Sequence, residues 1–222
     1  MAKKAPRRTA ERILEVTLTL FNRFGEPNVS TTLISNELGI SPGNLYYHYP
    51  AKDELVNALF TRYKAALLEL LVSAPEVSHL DDAWFFIHQL METVWAHRFI
   101  YRDLNDLLSR NRRLETEMKD VLQHKDTSFQ VMLSHLAHSG VIRMNDADRE
   151  STAHHMVLLC TWSLSYAYVL NPRGALEEDN APRAMVDAAR RMLALIKPYA
   201  SPKQGAAFER LMGAMAPPPP PV

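Results

Sequence analysis

Between Ser41 and Lys52 the chain reads "SPGNLYYHYPAK", a run of hydroxyl, amide, phenol and imidazole groups around a single aliphatic residue, Leu45. Such groups suit hydrogen bonding to flat base edges and phosphate oxygens better than they suit bond-breaking chemistry. Ser41 can cap a short helix, and Pro42 presets its first turn while giving up only an amide that would be unpaired anyway. Gly43 removes a side chain where a large partner would have to come close. The helix dipole leaves a partial positive charge at that end. Asn44, Tyr47 and His48 then stand on an exposed face, while Leu45 turns inward towards Ile34 and Leu38. A plainer reading exists for several of them: Tyr46 and Tyr49 can be packing residues, and His48 can cap the helix end.

The elements that must hold this run in place are helical. Only seven glycines occur, no hairpin dipeptide separates alternating strands, and apolar residues recur at helical spacing nearly throughout. The chain therefore reads as all-α. Thr9 can cap a first helix carrying Ile13, Leu14, Leu20, Phe21 and Phe24, which Gly25 and Pro27 end. Ser30 opens a short second helix closed by Gly39, a third runs from Ser41-Pro42 to Tyr49-Pro50, and a fourth occupies about 52–72. Two short helices about a glycine turn are the outline of a helix-turn-helix, which presents its second helix to double-stranded DNA. After a break at 73–79, helices are expected near 80–96, 99–109, 112–138, 147–170 and 180–197, with a weak one at 203–215. The closing "PPPPPV" reads as an extended polyproline tail.

Over residues 10–60 the sequence resembles the TetR family of bacterial transcriptional regulators. The resemblance lies in "RILEVTLTLFNRFG" (12–25), Ile34 and "GISPGNLYYHYPAKDEL" (39–55). It implies an N-terminal three-helix DNA-binding domain at 10–56, preceded by a basic arm at 1–9. A larger helical domain for effector binding and dimerisation would occupy 57–200, with the weak helix and tail at 201–222. Carried over by position, the family pattern makes Ser41, Gly43, Asn44, Tyr46, Tyr47 and His48 DNA-facing, and gives phosphates to Thr31 and Lys52. Three positions depart from the pattern. Glu26-Pro27 replaces the usual aromatic after the first glycine, Tyr49 replaces a commoner phenylalanine, and Pro42 fills a position often held by lysine.

Residues 80–140 are rich in large side chains of mixed character. Trp84, His88, Met91, Trp95, Tyr101, Phe129 and Met132 are candidates for an apolar effector cavity, an assignment the resemblance favours for the region. The alternative for each residue taken singly is ordinary core. "LLCTWSLSYAYVL" is apolar nearly all round, more than one lone helix needs to bury. With the apolar stripe of the last long helix it suggests a homodimer surface through Trp162, Ser163, Tyr166, Met185, Ala189 and Met192, the alternative being a buried central helix of a monomer.

Charge supports the same division. The chain carries 25 basic and 25 acidic residues, but residues 1–64 hold nine Lys/Arg against six Asp/Glu. A basic start is compatible with nucleic acid, and equally with a solvated terminus. The single cysteine, Cys160, reads as a buried small residue. The histidines, including the adjacent His154 and His155, do not converge into three or four ligands, so no metal and no cofactor is expected. No signal peptide or membrane span is expected, and the expected compartment is the cytoplasm. These features together point to a homodimeric repressor that binds a palindromic DNA operator and is released by a small apolar or amphipathic effector. The alternatives are an all-helical enzyme, against which stands the lack of any recognisable catalytic constellation, and a small-molecule-binding protein without a DNA role.

Overall fold

The computed structural model describes residues 6–214, with side chains from residue 8 onward. Lys3, Lys4 and the run of prolines from 217 lie outside the described residues. Eleven α-helices follow one another among the described residues. The first four are α1 (Pro6–Phe24), α2 (Thr31–Leu38), α3 (Pro42–His48) and α4 (Lys52–Leu71). They are followed by α5 (Leu80–Ala96), α6 (Arg98–Arg102), α7 (Leu104–Arg110) and α8 (Arg112–His138). The chain ends with α9 (Asp146–Leu170), α10 (Ala181–Ile196) and α11 (Gly205–Ala214). The all-α expectation holds, and among the described residues the β-type pairing is confined to an isolated bridge between Ile142 and Ala200.

Two expectations about element boundaries fail for physical reasons. The first helix starts at Pro6 rather than after Thr9, because proline is tolerated in a first turn where its missing N–H has no acceptor to serve. The helix expected over 99–109 is two helices, broken at Asp103. Its carboxylate accepts the backbone N–H of Glu26 at 2.8 Å, a partner 77 residues away that no local pattern announces.

Two compact units result. One comprises the chain up to Ala65 together with His97–Glu117, the other Ala66–Ala96 together with the chain from Met118 on. In the first, α1 packs against α2 and α6, and α2 against α3. Its core is Ile13, Phe21, Ile34, Leu45, Leu55, Leu59, Phe60 and Tyr63, all essentially without solvent exposure. In the second, α10 packs against both α5 and α9, and α11 against α5. Ile87, Leu90, Met91, Met132, Met156, Met192 and Phe208 fill that core.

Candidate nucleic-acid interface

Neither α2 nor α3 is long enough to be stable alone, so both depend on caps and on a few inward residues. Ser30 Oγ accepts the Leu33 N–H at 3.1 Å, and Ser41 Oγ accepts the Asn44 N–H at 3.2 Å. Gly39 closes α2 at φ 64°, the left-handed conformation that glycine adopts without strain. Ile34 and Leu45 are fully buried and anchor the two helices.

With Leu45 turned in, the rest of α3 faces solvent. Ser41, Gly43 and Asn44 are exposed, and Tyr46 and Tyr47 are 46% and 78% exposed. Tyr47 is the more exposed of the two tyrosines, and the two together give this face an aromatic surface. Its ring meets the His48 imidazole edge-on at 5.2 Å, so the two rings hold one another in place. His48 itself is half-buried at the end of the helix. Gly43 has no positive φ, and a Cβ there would find only Ser41 Oγ, 4.0 Å away. Nothing inside the chain therefore requires glycine at this position.

Thr31, Tyr46 and Lys52 come together. Thr31 Oγ1 and the Tyr46 hydroxyl hydrogen-bond at 2.9 Å, tying the start of α2 to α3. All three residues line a cleft of about 570 Å³ beside Ser30, Pro50 and Ala51. Tyr49 is half-buried, and its phenol reaches towards the Ala10 carbonyl at 3.5 Å. Burial raises its pKa above the ordinary tyrosine value, with the charge of Arg62 opposing.

Lys52 is not a freely solvated charge. Its ammonium donates to the Glu26 carbonyl at 2.6 Å and forms an ion pair, without a hydrogen bond, with Glu26 Oε1 at 3.0 Å. Glu26 is fully buried, and its other carboxylate oxygen is held by Arg110 of α7. Arg110 also meets Asp106 at 3.0 Å and Asp53 at 3.9 Å. Burial works against its charge, but the Glu26 and Asp106 carboxylates more than compensate, so its pKa lies above the ordinary arginine value. Sequence reasoning missed Glu26, Asp103 and Arg110. The one available signal was that Glu26-Pro27 departs from the family pattern: an acidic residue at that corner needs cations, and Lys52 and Arg110 supply them.

The remaining candidates lie in different settings. Met91, Trp95, Phe129 and Met132 are buried in the second unit, whereas Trp84 and His88 are half-buried with ring centres 5.3 Å apart. Tyr101 belongs to the first unit, where it is buried with its hydroxyl against that of Tyr63. Among the proposed dimer residues, Trp162 and Tyr166 are 43% and 51% exposed, while Ala189 and Met192 are fully buried. Those two face the core of their own unit because α10 is packed between α5 and α9. Met185 and Ser163 are half-buried. The exposed apolar row on α9 is instead Leu158, Trp162, Tyr166, Val169 and Leu170. Among the described residues no His/Cys/Asp/Glu group is placed to hold a metal ion, and no helix is long and apolar enough to cross a membrane.

A three-helix N-terminal bundle with a capped, exposed second short helix, followed by a longer helical unit, defines a helix-turn-helix regulator. The comparisons identify the kind. Residues 13–59 match the family profile described as bacterial regulatory proteins, tetR family, and residues 62–208 match that of a bacterial transcriptional repressor in the same family. The chain belongs to the TetR family. A TetR-family transcriptional regulator from Marinobacter aquaeolei VT8 superposes with a TM-score of 0.82 at 25% identity, over 94% of this chain and 99% of that one. A protein from Saccharomonospora viridis in complex with choline shares the fold with a TM-score of 0.66 at 19% identity, over 86% and 96% of the two chains. The nucleoid occlusion factor SlmA of Glaesserella parasuis serovar 5 (strain SH0165) is 34% identical over 95 residues, 42% of this chain and 46% of that protein. The chain thus spans about half the length of this curated relative. Members of the family regulate transcription, and the chain is a regulator rather than an enzyme.

Proposed function

We propose that the chain is a homodimeric repressor, acting in the cytoplasm, that binds a palindromic operator and leaves it when a small apolar or amphipathic effector binds the second unit. The observation that carries this reading is the outward face of α3. It leaves Tyr47 mostly exposed beside His48 and Asn44, with a glycine that the chain itself does not need. That glycine gives clearance for a duplex. Thr31, Tyr46 and Lys52 line the adjoining cleft, which supports a role for them on backbone phosphates. The exposed row on α9 supports pairing with a second copy, which would set two α3 helices in major grooves roughly 34–36 Å apart. A small-molecule effector is supported by the buried aromatic and methionine side chains of the second unit, and by the choline complex of a protein with this fold.

The test is binding of the full chain to genomic fragments and then to a palindromic duplex across a salt series. Specific binding should appear with a steep salt dependence, and sedimentation should give twice the 25.3 kDa chain mass. Tyr47→Ala should weaken operator binding by about 1–3 kcal/mol, roughly five- to 150-fold, without changing that mass. Affinity that remains at the non-specific level for every fragment at low salt removes the operator reading.

A further inference from the structure

Lys52 lines the cleft that also holds Thr31 and Tyr46, yet its ammonium is already engaged by a single residue, through a hydrogen bond to the Glu26 carbonyl and an ion pair with Glu26 Oε1. An ammonium has three N–H donors, and the Glu26 carbonyl takes one of them while the Glu26 carboxylate holds the charge close by. Every polar atom of Glu26 lies beside a partner, although Oε1 meets Lys52 as an ion pair without a hydrogen bond. The Glu26 N–H goes to Asp103, its carbonyl and one carboxylate oxygen to Lys52, and its other carboxylate oxygen to Arg110. Glu26 has no solvent exposure, and taking a carboxylate out of water costs several kcal/mol that cationic partners must offset. Glu26 has two such partners and divides between them. One faces the candidate phosphate cleft, and the other belongs to α7 and is distant in sequence.

Resting on the operator-binding reading above, we propose that Glu26 is a positioning residue for DNA binding, an internal anion that competes with DNA phosphate for Lys52. Arg110 sets how strongly it competes. With Arg110 on one oxygen, the Glu26 charge is largely compensated and Lys52 can turn part of its own charge to a phosphate. Without Arg110, Lys52 becomes the main cation answering a buried carboxylate and is held away from the duplex. Arg110 can be drawn off, since Asp106 and Asp53 compete for the same guanidinium. A shift of α7 would in this way change a DNA contact to which α7 itself contributes no atom.

The number of phosphates neutralised is read from the slope of log K against log salt, about 0.9 per contact on duplex DNA. The full chain, Glu26→Gln, Arg110→Met, Lys52→Met and the double variant Glu26→Gln/Lys52→Met are titrated against the operator and against an unrelated duplex. Glu26→Gln should steepen the slope by up to about one contact and tighten binding to the unrelated duplex several-fold at low salt. Arg110→Met should make the slope shallower and weaken binding several-fold, and Arg110→Lys should restore much of it. The double variant should show the slope of Lys52→Met alone.

A merely structural Glu26 would give weaker binding in Glu26→Gln with an unchanged slope, and that result overturns the proposal. So does a steepening that survives loss of Lys52. If Glu26→Gln does not fold, the Arg110 pair carries the test, since that side chain is 37% exposed; an unchanged slope in Arg110→Met then overturns it. A wild-type chain that binds no duplex specifically overturns the operator reading and this proposal together, whereas wild-type binding with slopes insensitive to Glu26 and Arg110 overturns this proposal alone.

Discussion

The two compact units solve the same problem, holding helices together, by different means. In the first, α2 and α3 have eight and seven residues, and serine caps and a buried side chain or two hold each in place. Polar contacts between distant residues complete it: Asn22 with the Phe99 N–H, Asp103 with Glu26, and Asn57 with Asn111. In the second unit α9 and α10 run for 25 and 16 residues and are fixed by long rows of apolar side chains. Few, specific contacts leave the outer face of α3 available for recognition. Many interchangeable contacts make a robust core whose individual residues say little about purpose.

The largest effect that sharpens this contrast comes from the cores. Leu45 is the one buried residue of α3, so Leu45→Ala should cost about 2–5 kcal/mol and detach the helix from its support. Met192 is equally buried in the second unit, and Met192→Ala should cost a similar ~2–5 kcal/mol. The two differ in their consequence. Leu45→Ala should abolish operator binding under conditions where the second unit keeps its hydrogen-exchange protection, and Met192→Ala should lower that protection with operator affinity preserved. Equal loss of DNA binding in both would mean that the units are not separable in this way.

The same contrast explains what could be read in advance. The capped pair Ser30–Gly39 and Ser41–Tyr49 was legible to within a residue because capping, glycine conformation and the proline start are local rules. The long helices α5, α8, α9 and α10 were legible from periodicity. What could not be read is long-range: the break at Asp103, the burial of Glu26 and its pairing with Arg110, and the assignment of Tyr101 to the first unit. Periodicity marked the apolar stripe of α10 correctly but did not say that Ala189 and Met192 would meet their own unit's core. An apolar stripe specifies burial, not the identity of what buries it.

A smaller effect separates short helices from long ones. Ser41 and Asn145 are both side-chain caps, accepting the N–H groups of Asn44 at 3.2 Å and Asp148 at 2.8 Å. Removing either cap should cost about 1 kcal/mol. In α9 that loss should fray one turn of 25 residues. In α3 one turn is about half the helix, so Ser41→Ala should raise exchange across its length and weaken operator binding several-fold. Asn145→Ala should leave operator affinity unchanged. A Ser41→Ala chain with wild-type exchange in α3 would show that Leu45 alone holds the helix.

The smallest effect is a pH dependence of opposite sign in the two units. Asp103 in the first unit is pushed above the usual aspartate value of 3.8, chiefly by burial, although the Glu26 N–H and Arg102 pull the other way. Asp82 in the second unit also feels burial first, but hydrogen bonds from Ser78 and His79 outweigh it and leave the pKa below 3.8. A raised folded pKa favours folding when the group is protonated, so the Asp103 contribution is present below pH 3.8 and is lost as pH rises through its folded value. A depressed folded pKa does the reverse, so the Asp82 contribution is present above pH 3.8 and is lost as pH falls through its folded value. Urea unfolding of Asp103→Asn and Asp82→Asn against the wild type should therefore give difference curves that bend in opposite directions across the acid range. Asp103→Asn should remove a loss of stability with rising pH, and Asp82→Asn should remove a gain. Two curves of the same sign would mean that Asp103 is governed by its hydrogen bond to Glu26 rather than by its burial, and the polar contacts of the first unit would then resemble the half-buried helix start at Asp82.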